Sequence, residues 1–238
     1  MTTTSTRRPV SRLPREQRMS DIMAAAFAVF CEKGYEEAAI SEIAERANVV
    51  EGSIYRYFQG KRDLLVKVMG AWYESMMADY ELHLAGISGT RNRLRFMIWR
   101  HLKTIYEEPA ACNLIFRSLR PGEDYTATAV FEANRLYTRR TLDIVVEGIE
   151  TGELRDVPLP LVRDMIYGCI EHRTWAYLRG EGHFDLDETA DAIVDLVMGG
   201  LQKTPGPSDI TSELAVRLER AVERLEHLQP PADPHSGR

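Results

Sequence analysis

The sequence predicts an all-α fold in which a small N-terminal three-helix domain precedes a larger helical domain. Apolar residues recur at a spacing near 3.6 residues from Arg15 to Leu201, which is typical of amphipathic helices. Gly and Pro residues interrupt this pattern at intervals that suit helix ends. No alternating Val, Ile and Thr segment bounded by turns competes, so the pattern does not require strands.

Composition excludes several classes of protein. Of 238 residues, 44% are apolar and 28% are charged, as in an ordinary globular protein. No apolar run approaches the roughly 20 residues of a membrane span, and the basic N-terminus is not followed by the apolar segment of a secretory signal. Cys31, Cys112 and Cys169 are odd in number and far apart. We expect reduced thiols in the cytoplasm, neither a disulfide framework nor a zinc site.

Charge is distributed unevenly along the chain. The net charge is −6, yet residues 1–70 hold 11 Lys and Arg against 9 Asp and Glu. Residues 1–14 are polar, contain Pro9 and Pro14, and are predicted to be a disordered basic arm. Such an arm suits a contact to DNA phosphates or to the minor groove, and it equally suits a solubilising tail.

Residues 15–65 contain the signals of three short helices. Apolar positions predict a first helix from Arg15 that ends at a left-handed Gly34. A second helix is predicted from Ile40 to Arg46, after which Asn48 can adopt the left-handed conformation of a tight turn. A third helix is predicted over residues 51–58, and Gly60 separates it from the next helix.

The larger domain, residues 66–204, continues the helical pattern. The predicted helices are Lys61–Leu84, Thr90–Tyr106, Pro109–Leu119, Tyr125–Thr151, Pro160–Arg179 and Leu186–Leu201. Residues 205–238 are predicted to be a linker, an extra amphipathic helix and a disordered tail. The apolar stripe of that extra helix comprises Leu214, Leu218, Val222, Leu225 and Leu228.

The second and third helices form a predicted helix-turn-helix for the DNA major groove. Seven apolar residues are assigned to its core: Ile40, Ile43, Ala44, Ala47, Val49, Ile54 and Phe58. Removing them leaves an outward set on the third helix: Glu51, Gly52, Ser53, Tyr55, Arg56 and Tyr57. Arg56 can contact guanine with two hydrogen bonds, and the tyrosine hydroxyls can reach phosphates. Lys61 begins the next helix, where a phosphate is also favoured.

The other interpretation makes Tyr55 and Tyr57 core aromatics and Arg56 a solvated charge. Because Ile54 and Phe58 already supply a buried face, two more buried rings would overfill so short a helix. We therefore favour contact with DNA.

The same residues resemble the N-terminal domain of the tetracycline-repressor-like (TetR) family of bacterial regulators. The similarity is carried by Phe27-x-x-Phe30-x-x-x-Gly34-Tyr35, by Ile43-Ala44-x-x-Ala47, and by Gly52-Ser53-Ile54-Tyr55-x-Tyr57-Phe58-x-x-Lys61-x-x-Leu64-Leu65. The resemblance implies an all-α homodimer with a ligand-binding and dimerisation domain after the helix-turn-helix. It places DNA contacts at Gly52, Ser53, Tyr55, Tyr57 and Lys61.

This sequence departs from the family pattern at three positions. Ala39 and Val50 replace hydroxyl residues that cap helices, and Asn48 replaces a glycine. Each lost hydroxyl costs a cap or a phosphate contact of about 1 kcal/mol. Ser41 can replace one of these contacts and is therefore included among the predicted DNA-binding residues.

The resemblance also implies an effector cavity within the larger domain. The predicted lining is Trp72, Met76, Met97, His101, Phe116, Phe131, Asn134, Tyr167, Glu171 and Trp175. Polar groups in apolar settings (His101, Asn134 and Glu171) stand out because burying them without partners is costly. Each of these residues could instead be ordinary core, exposed surface or a satisfied buried polar group. The composition favours an apolar or aromatic effector.

Dimerisation is expected to involve the last two helices of this domain. In the family, two late helices from each subunit form a four-helix bundle, which here implies Pro160–Arg179 and Leu186–Leu201. The predicted interface residues are Met165, Trp175, Ile193, Val197 and Leu201. The six histidines are scattered without metal-ligand spacing, so we expect no metal, and we expect no cofactor.

The sequence therefore predicts a cytoplasmic, homodimeric, ligand-responsive transcription regulator of bacteria, a repressor that a small effector releases from its operator. Its expected partners are double-stranded operator DNA and a small-molecule effector, without membrane attachment. Three alternatives remain: control by a protein partner through the helix at 210–228, an enzyme using Glu171 and His101, and, least favoured because the larger domain is acidic, a sequence-independent DNA-packaging role. No catalytic spacing supports the enzyme, so we expect none.

Overall fold

The computed structural model describes residues 14–203 and 207–226, and these form helices without a β-strand. The α-helices are α1 (Arg15–Glu37), α2 (Ile40–Arg46), α3 (Glu51–Ile54), α4 (Lys61–Leu84), α5 (Thr90–Glu107), α6 (Pro109–Asn113), α7 (Ala129–Glu150), α8 (Leu159–Leu178), α9 (Leu186–Leu201) and α10 (Pro207–Glu226). A π-helix, Leu114–Leu119, follows α6, and a short 3₁₀ helix, Tyr125–Ala127, precedes α7. The predicted all-α fold is confirmed.

The chain divides into two units after Leu201. In the second unit, α10 is a 20-residue helix whose described apolar residues Val216, Leu218 and Val222 are exposed. Residues 1–13 of the predicted arm (1–14), part of the linker and the tail after residue 226 lie outside the described residues.

The N-terminal helices close around one apolar core. Ile22, Val29 and Phe30 of α1 are fully buried, as are Ile43 of α2 and Leu64 of α4. Two ion pairs cross from α1 to α2, joining Arg46 to Glu32 at 2.6 Å and Lys33 to Glu42 at 2.7 Å. Exposed pairs of this kind contribute little, so burial holds these helices together.

Two residues with positive φ shape the N-terminal domain. Asn48 has φ 52°, the left-handed conformation predicted for it. Gly34 also has a positive φ, 79°, but α1 does not end there as predicted: the helix resumes after a kink and continues to Glu37. Most residues with a side chain are strained at a positive φ. Glycine has no Cβ and avoids this strain, and asparagine tolerates the conformation better than most other residues.

The larger domain is built around α5. This helix packs on α7, α8 and α9, while α4 packs on α1 and α7 and so joins the two parts of the first unit. The three-sided contact buries Leu94, Ile98, Leu102 and Ile105 of α5. Within residues 14–203 and 207–226, no helix combines the length and apolar content that a membrane crossing requires.

Two predicted helices of this domain are broken. The segment Pro109–Leu119 is α6 followed by the π-helix, and the segment predicted to start at Tyr125 begins with the 3₁₀ helix. Thr128 separates the latter from α7 because its hydroxyl caps α7, accepting a hydrogen bond from the Phe131 N–H at 3.2 Å. A threonine at the N-cap is a common start signal that the longer apolar pattern hid.

The three cysteines are free thiols. Burial raises the pKa of Cys31 to about 11 and that of Cys112 to about 12, which keeps both protonated and unreactive at neutral pH.

Candidate nucleic-acid interface and effector cavity

The outward end of the helix-turn-helix is a short helix followed by a turn. The helix predicted over residues 51–58 is wrong in length, because α3 ends at Ile54. Its continuation is a tight turn in which the N–H groups of Arg56 and Tyr57 donate to the carbonyls of Ser53 and Ile54. We call residues 51–58 the recognition turn. It is fixed by Ile54 and Phe58, which are 0% and 1% exposed.

Neither α2 nor α3 has a side-chain cap. Their N-cap residues, Ala39 and Val50, make no capping hydrogen bond, and Val50 is 74% exposed. The first N–H groups of both helices are therefore left to solvent or to a bound phosphate.

The predicted DNA-binding residues fall into two groups by exposure. Five are exposed: Ser41, Glu51, Gly52, Tyr55 and Arg56. The other three, Ser53, Tyr57 and Lys61, are half-buried. Tyr55 is 54% exposed, which leaves its ring and hydroxyl accessible to a binding partner.

Tyr57 and Lys61 have contacts inside the domain that the sequence did not indicate. The Tyr57 ring packs beside Phe58 and lies 5.8 Å from the guanidinium of Arg15. Lys61 Nζ donates to the carbonyl of Glu36 at 2.9 Å and lies 4.7 Å from the Tyr35 ring. Both side chains therefore hold the recognition turn and α4 against α1, and only part of each is available to DNA.

A cavity of about 290 Å³ lies between α5, α7, α8 and the end of the π-helix. Its lining includes five of the ten residues predicted for an effector: His101, Phe116, Asn134, Tyr167 and Glu171. Five further residues line it: Arg120, Thr138, Arg163, Asp164 and Gly168. The volume is close to the lower end of the range for small-molecule pockets. We call it the α5–α8 cavity.

The other five predicted residues lie elsewhere. Trp72 donates its indole N–H to Glu108 at 2.7 Å, and Phe131 packs edge-on against Tyr125. Met76 is half-buried against the core, and Trp175 is 45% exposed. Met97 lines a separate apolar cavity of about 30 Å³ with Met77, Tyr80, Leu84 and Tyr137 among others. Helical periodicity indicated that each of these residues makes a contact, but it did not identify the residues or the ligand that it contacts.

Aromatic hydroxyls and a neutral histidine separate the two cavities. Nδ1 of His101 lies 2.6 Å from the hydroxyl of Tyr137, and the hydroxyl of Tyr167 lies 2.7 Å from that of Thr141. Burial, with a smaller contribution from the charge of Arg120, lowers the pKa of His101 to about 3. Burial also raises the pKa of Tyr137 and that of Tyr167, the latter to about 12. All three side chains are therefore uncharged at neutral pH.

The charged groups of the α5–α8 cavity are two arginines, each beside an acid. Arg120 donates to Glu171 at 2.9 Å, and its guanidinium lies 4.6 Å from the Phe116 ring. Arg163 donates to the adjacent Asp164 at 2.8 Å. Arg120, Arg163 and Tyr137 were not among the residues predicted from the sequence. The π-helix rotates Arg120 relative to an ordinary helix, so no periodic pattern could have placed it here.

The predicted dimer residues are split between the inside and the outside of the subunit. Ile193, Val197 and Leu201 are at most 4% exposed, because the inner face of α9 packs on α5. That part of the prediction does not fit the structure. Met165 and Trp175 are exposed on α8, and so are Leu161 on α8 and Leu196 on α9, the latter 73%. These four residues, with the small exposed Gly168 and Gly199, define the outer α8–α9 face.

In the described parts of the chain, no cluster of His, Cys, Asp and Glu side chains has the geometry of a metal site.

Two family models match the chain in succession. "Bacterial regulatory proteins, tetR family" matches residues 22–68, and "Tetracyclin repressor-like, C-terminal domain" matches residues 88–201. The first match contains α2, the recognition turn and the start of α4. The second contains every residue that lines the α5–α8 cavity.

Several characterised proteins are similar over most of their length. The fatty acid metabolism regulator protein of Bacillus subtilis is 25% identical over 192 residues, which are 79% of this chain and 97% of that protein. The transcriptional activator FasR of Mycolicibacterium smegmatis is 27% identical over 82% of this chain and 88% of that protein. Among solved structures, FadR from Bacillus subtilis in complex with stearoyl-CoA has a TM-score of 0.68 at 24% identity, over 76% of this chain and 98% of that chain.

Proposed function

Since this chain belongs to the tetracycline-repressor-like (TetR) family and is a ligand-responsive, DNA-binding transcription regulator, we propose that it is a homodimeric repressor controlled by a fatty acyl compound. The proposed effector binds in the α5–α8 cavity and releases the protein from its operator. The observation that carries this proposal is that Arg120 and Arg163 line one cavity of the larger domain together with the uncharged side chains of His101 and Tyr167.

The recognition turn is proposed to enter the major groove. Tyr55 and Arg56 are exposed and face away from the core that Ile54 and Phe58 occupy. Arg56 suits a guanine edge, and Tyr55 suits a phosphate or a thymine methyl group. Ser41, Glu51, Gly52 and Ser53 complete the proposed contact surface, with partial contributions from Tyr57 and Lys61.

The cavity chemistry suits an amphipathic acid or thioester. Arg120 and Arg163 supply donors for carbonyl or anionic oxygens, and Phe116 and Tyr167 supply apolar area. Tyr137 lines the apolar cavity beside Met97, and its hydroxyl bonds to His101 in the wall of the larger one. A chain that displaces Tyr137 can therefore extend from the first cavity into the second. Two of the relatives described above are named for fatty acids or hold an acyl thioester, which supports this class of effector.

Dimerisation is proposed through the outer α8–α9 face rather than through the predicted inner residues of α9. Repression then depends on geometry, because two recognition turns must lie about 34–36 Å apart to enter successive major grooves. An effector that binds better when the two DNA-binding domains are further apart shifts the population away from DNA. We propose that this happens in the bacterial cytoplasm, where the operator is located.

Control by a protein partner through α10 is the less favoured alternative. The relatives described above are named as transcription regulators, and one solved structure holds a small acyl ligand. No comparable observation identifies a protein that would bind α10.

The test begins with operator DNA selected by the purified protein from a random duplex pool. Tyr55→Ala and Arg56→Ala should each weaken binding about tenfold or more, whereas Arg135→Ala on α7 should not. Stearoyl-CoA or palmitate should release the wild-type protein, and coenzyme A alone should not. If neither acyl compound changes DNA affinity, the proposed effector class is wrong; if Tyr55→Ala and Arg56→Ala bind normally, the proposed DNA surface is wrong.

A further inference from the structure

Arg62, the second residue of α4, is held by the end of the π-helix and the turn that follows it. Its Nη1 donates to the carbonyl of Ser118 at 2.6 Å, and its Nη2 donates to that of Leu119 at 3.3 Å. The same guanidinium bonds both oxygens of Asp124, at 3.1 and 2.6 Å. These bonds lower the pKa of the Asp124 carboxyl below its ordinary value. One side chain thus joins the start of α4 to residues 118–124, which we call the coupling turn.

The coupling turn is shaped around this guanidinium. A Cβ atom at Gly122 would collide with the guanidinium of Arg62 and would come within 2.7 Å of the Asp124 carboxylate. The φ of Gly122 is not positive, so a side chain at this position would act through the space it occupies rather than through backbone strain. An added methyl group would push aside the ends of two flexible side chains, Arg62 and Asp124, and would therefore disturb the bonds between them.

The other side of the coupling turn faces the α5–α8 cavity. Arg120 lies directly after Leu119, whose carbonyl accepts from Arg62, and the Arg120 side chain bonds Glu171 in the cavity wall. The Arg120 N–H donates to the carbonyl of Ile115 at 2.9 Å, the five-residue hydrogen bond of the π-helix. Such π-turns are less favourable than α-helical ones and are frequent at functional positions. Arg62 and Arg120 therefore hold the same short turn from opposite sides.

We propose that Arg120 recognises the oxygen-bearing end of the effector, a carboxylate or acyl thioester, and that Arg62 transmits this contact to the DNA-binding domain. This inference rests on the proposed function, because it assigns the recognition and coupling residues of that same cavity. An effector oxygen that replaces Glu171 as the partner of Arg120 moves the coupling turn. Because Arg62 bonds two carbonyls and a carboxylate of that turn, α4 moves with the turn, and so does Lys61, the first residue of α4.

The coupling is tested with Arg62→Lys, Asp124→Asn and Gly122→Ala. Lysine keeps the charge but cannot bond two carbonyls and a carboxylate at once. We expect each variant to bind stearoyl-CoA within about threefold of wild type, while the ratio of operator Kd with and without stearoyl-CoA falls towards 1. Arg135→Lys, a matched exchange at an exposed pair with Glu132, should keep the wild-type ratio. Full release by stearoyl-CoA in all three variants would overturn the assignment of Arg62.

The recognition role is tested by measuring how Arg120→Ala binds one charged probe and one uncharged probe. Palmitate should bind this variant at least tenfold more weakly than wild type, whereas hexadecane, which has the same chain length without oxygen atoms, should change by less than threefold. An equal loss for both probes would mean that Arg120 only shapes the cavity, and would overturn its assignment as a recognition residue.

A third measurement needs no effector and separates this inference from the proposed function. Glu171→Gln weakens the hold on Arg120, so amide hydrogen exchange should rise several-fold at residues 120–125 and at Leu64 and Leu65 in α4. In Glu171→Gln/Arg62→Lys the rise should remain at 120–125 and disappear in α4. Unchanged exchange in α4 of Glu171→Gln would refute the coupling even if acyl compounds prove to be effectors. The predicted exchange pattern would support the coupling even if acyl compounds prove not to be effectors.

Discussion

Nδ1 of His101 and the hydroxyl of Tyr137 lie 2.6 Å apart between the two cavities, in surroundings that keep both side chains uncharged. The pKa of His101 is about 3 in the folded protein and about 6.5 in an unfolded chain. Between these values the unfolded state binds one more proton than the folded state. Stability due to the neutral ring is therefore complete above pH 6.5 and is lost as pH falls below it.

The first prediction follows from this difference. Lowering the pH from 8 to 5 should reduce the free energy of unfolding by about 2 kcal/mol through His101 alone. Carboxylates held by arginines, such as Asp79 with Arg100, have lowered pKa values and titrate below this range. Urea unfolding at several pH values should show this slope in wild type and in His183→Gln, at an exposed histidine, and should show it flattened in His101→Gln. If stability depends on pH as steeply in His101→Gln as in wild type, the assignment of this loss of stability to His101 is wrong.

The left-handed turn gives a second prediction. Asn48→Ala should destabilise the N-terminal domain by about 1 kcal/mol, because alanine lacks the short polar side chain whose local hydrogen bonding lets asparagine tolerate a φ of 52°. Asn48→Gly should be nearly neutral, since glycine adopts this conformation freely. Urea unfolding measures the stability of both variants, and Glu45→Ala, at an exposed position of α2, serves as the comparison. Equal stability of the alanine and glycine variants would refute the conformational cause.

The uncapped third helix gives a third prediction. Val50→Thr should stabilise the protein by about 0.5–1 kcal/mol, because the hydroxyl can accept from an N–H of the first turn of α3. Val50→Ala removes the exposed methyl groups without adding a cap and should bring no gain. Thermal unfolding distinguishes the two variants. A gain of the same size in both would show that removal of apolar surface, rather than capping, is responsible.

The dimer face gives a fourth prediction. Leu196→Arg and Met165→Glu place charges on the outer α8–α9 face and should weaken the dimer by 100-fold or more. Leu136→Arg changes an exposed apolar residue of α7 outside this face and should leave the dimer unchanged. Sedimentation velocity over a range of concentrations measures all three. If the dimer persists in both Leu196→Arg and Met165→Glu, the interface lies elsewhere on the subunit.

Local signals predicted the fold well. The bounds of α2, α4 and α9 agree with the structure, and so does the left-handed Asn48, because each depends on residues near in sequence. The recognition turn was predicted too long because its apolar spacing continues to Phe58 through a tight turn. Periodicity cannot distinguish these two conformations when both bury Ile54 and Phe58.

The cavity and the dimer face were less predictable, because they depend on which helices meet. Ile193 and Val197 form an apolar stripe in any environment, and only tertiary packing assigns them to α5 rather than to a partner subunit. Arg120 reaches the cavity through an unusual π-helix, and Arg62 contacts residues more than 50 positions away. Such contacts leave no trace in a local pattern.

The packing of α9 on α5 has a consequence for how two bound effectors would influence each other. Helix α5 carries His101 in the cavity wall, and α9 covers the opposite side of α5 while presenting Leu196 outward. In a dimer built on that outer face, α9 and its symmetry mate would lie between the two α5 helices. Any influence of one occupied cavity on the other would then pass through α9, and a Hill coefficient different from 1 for effector binding would measure it.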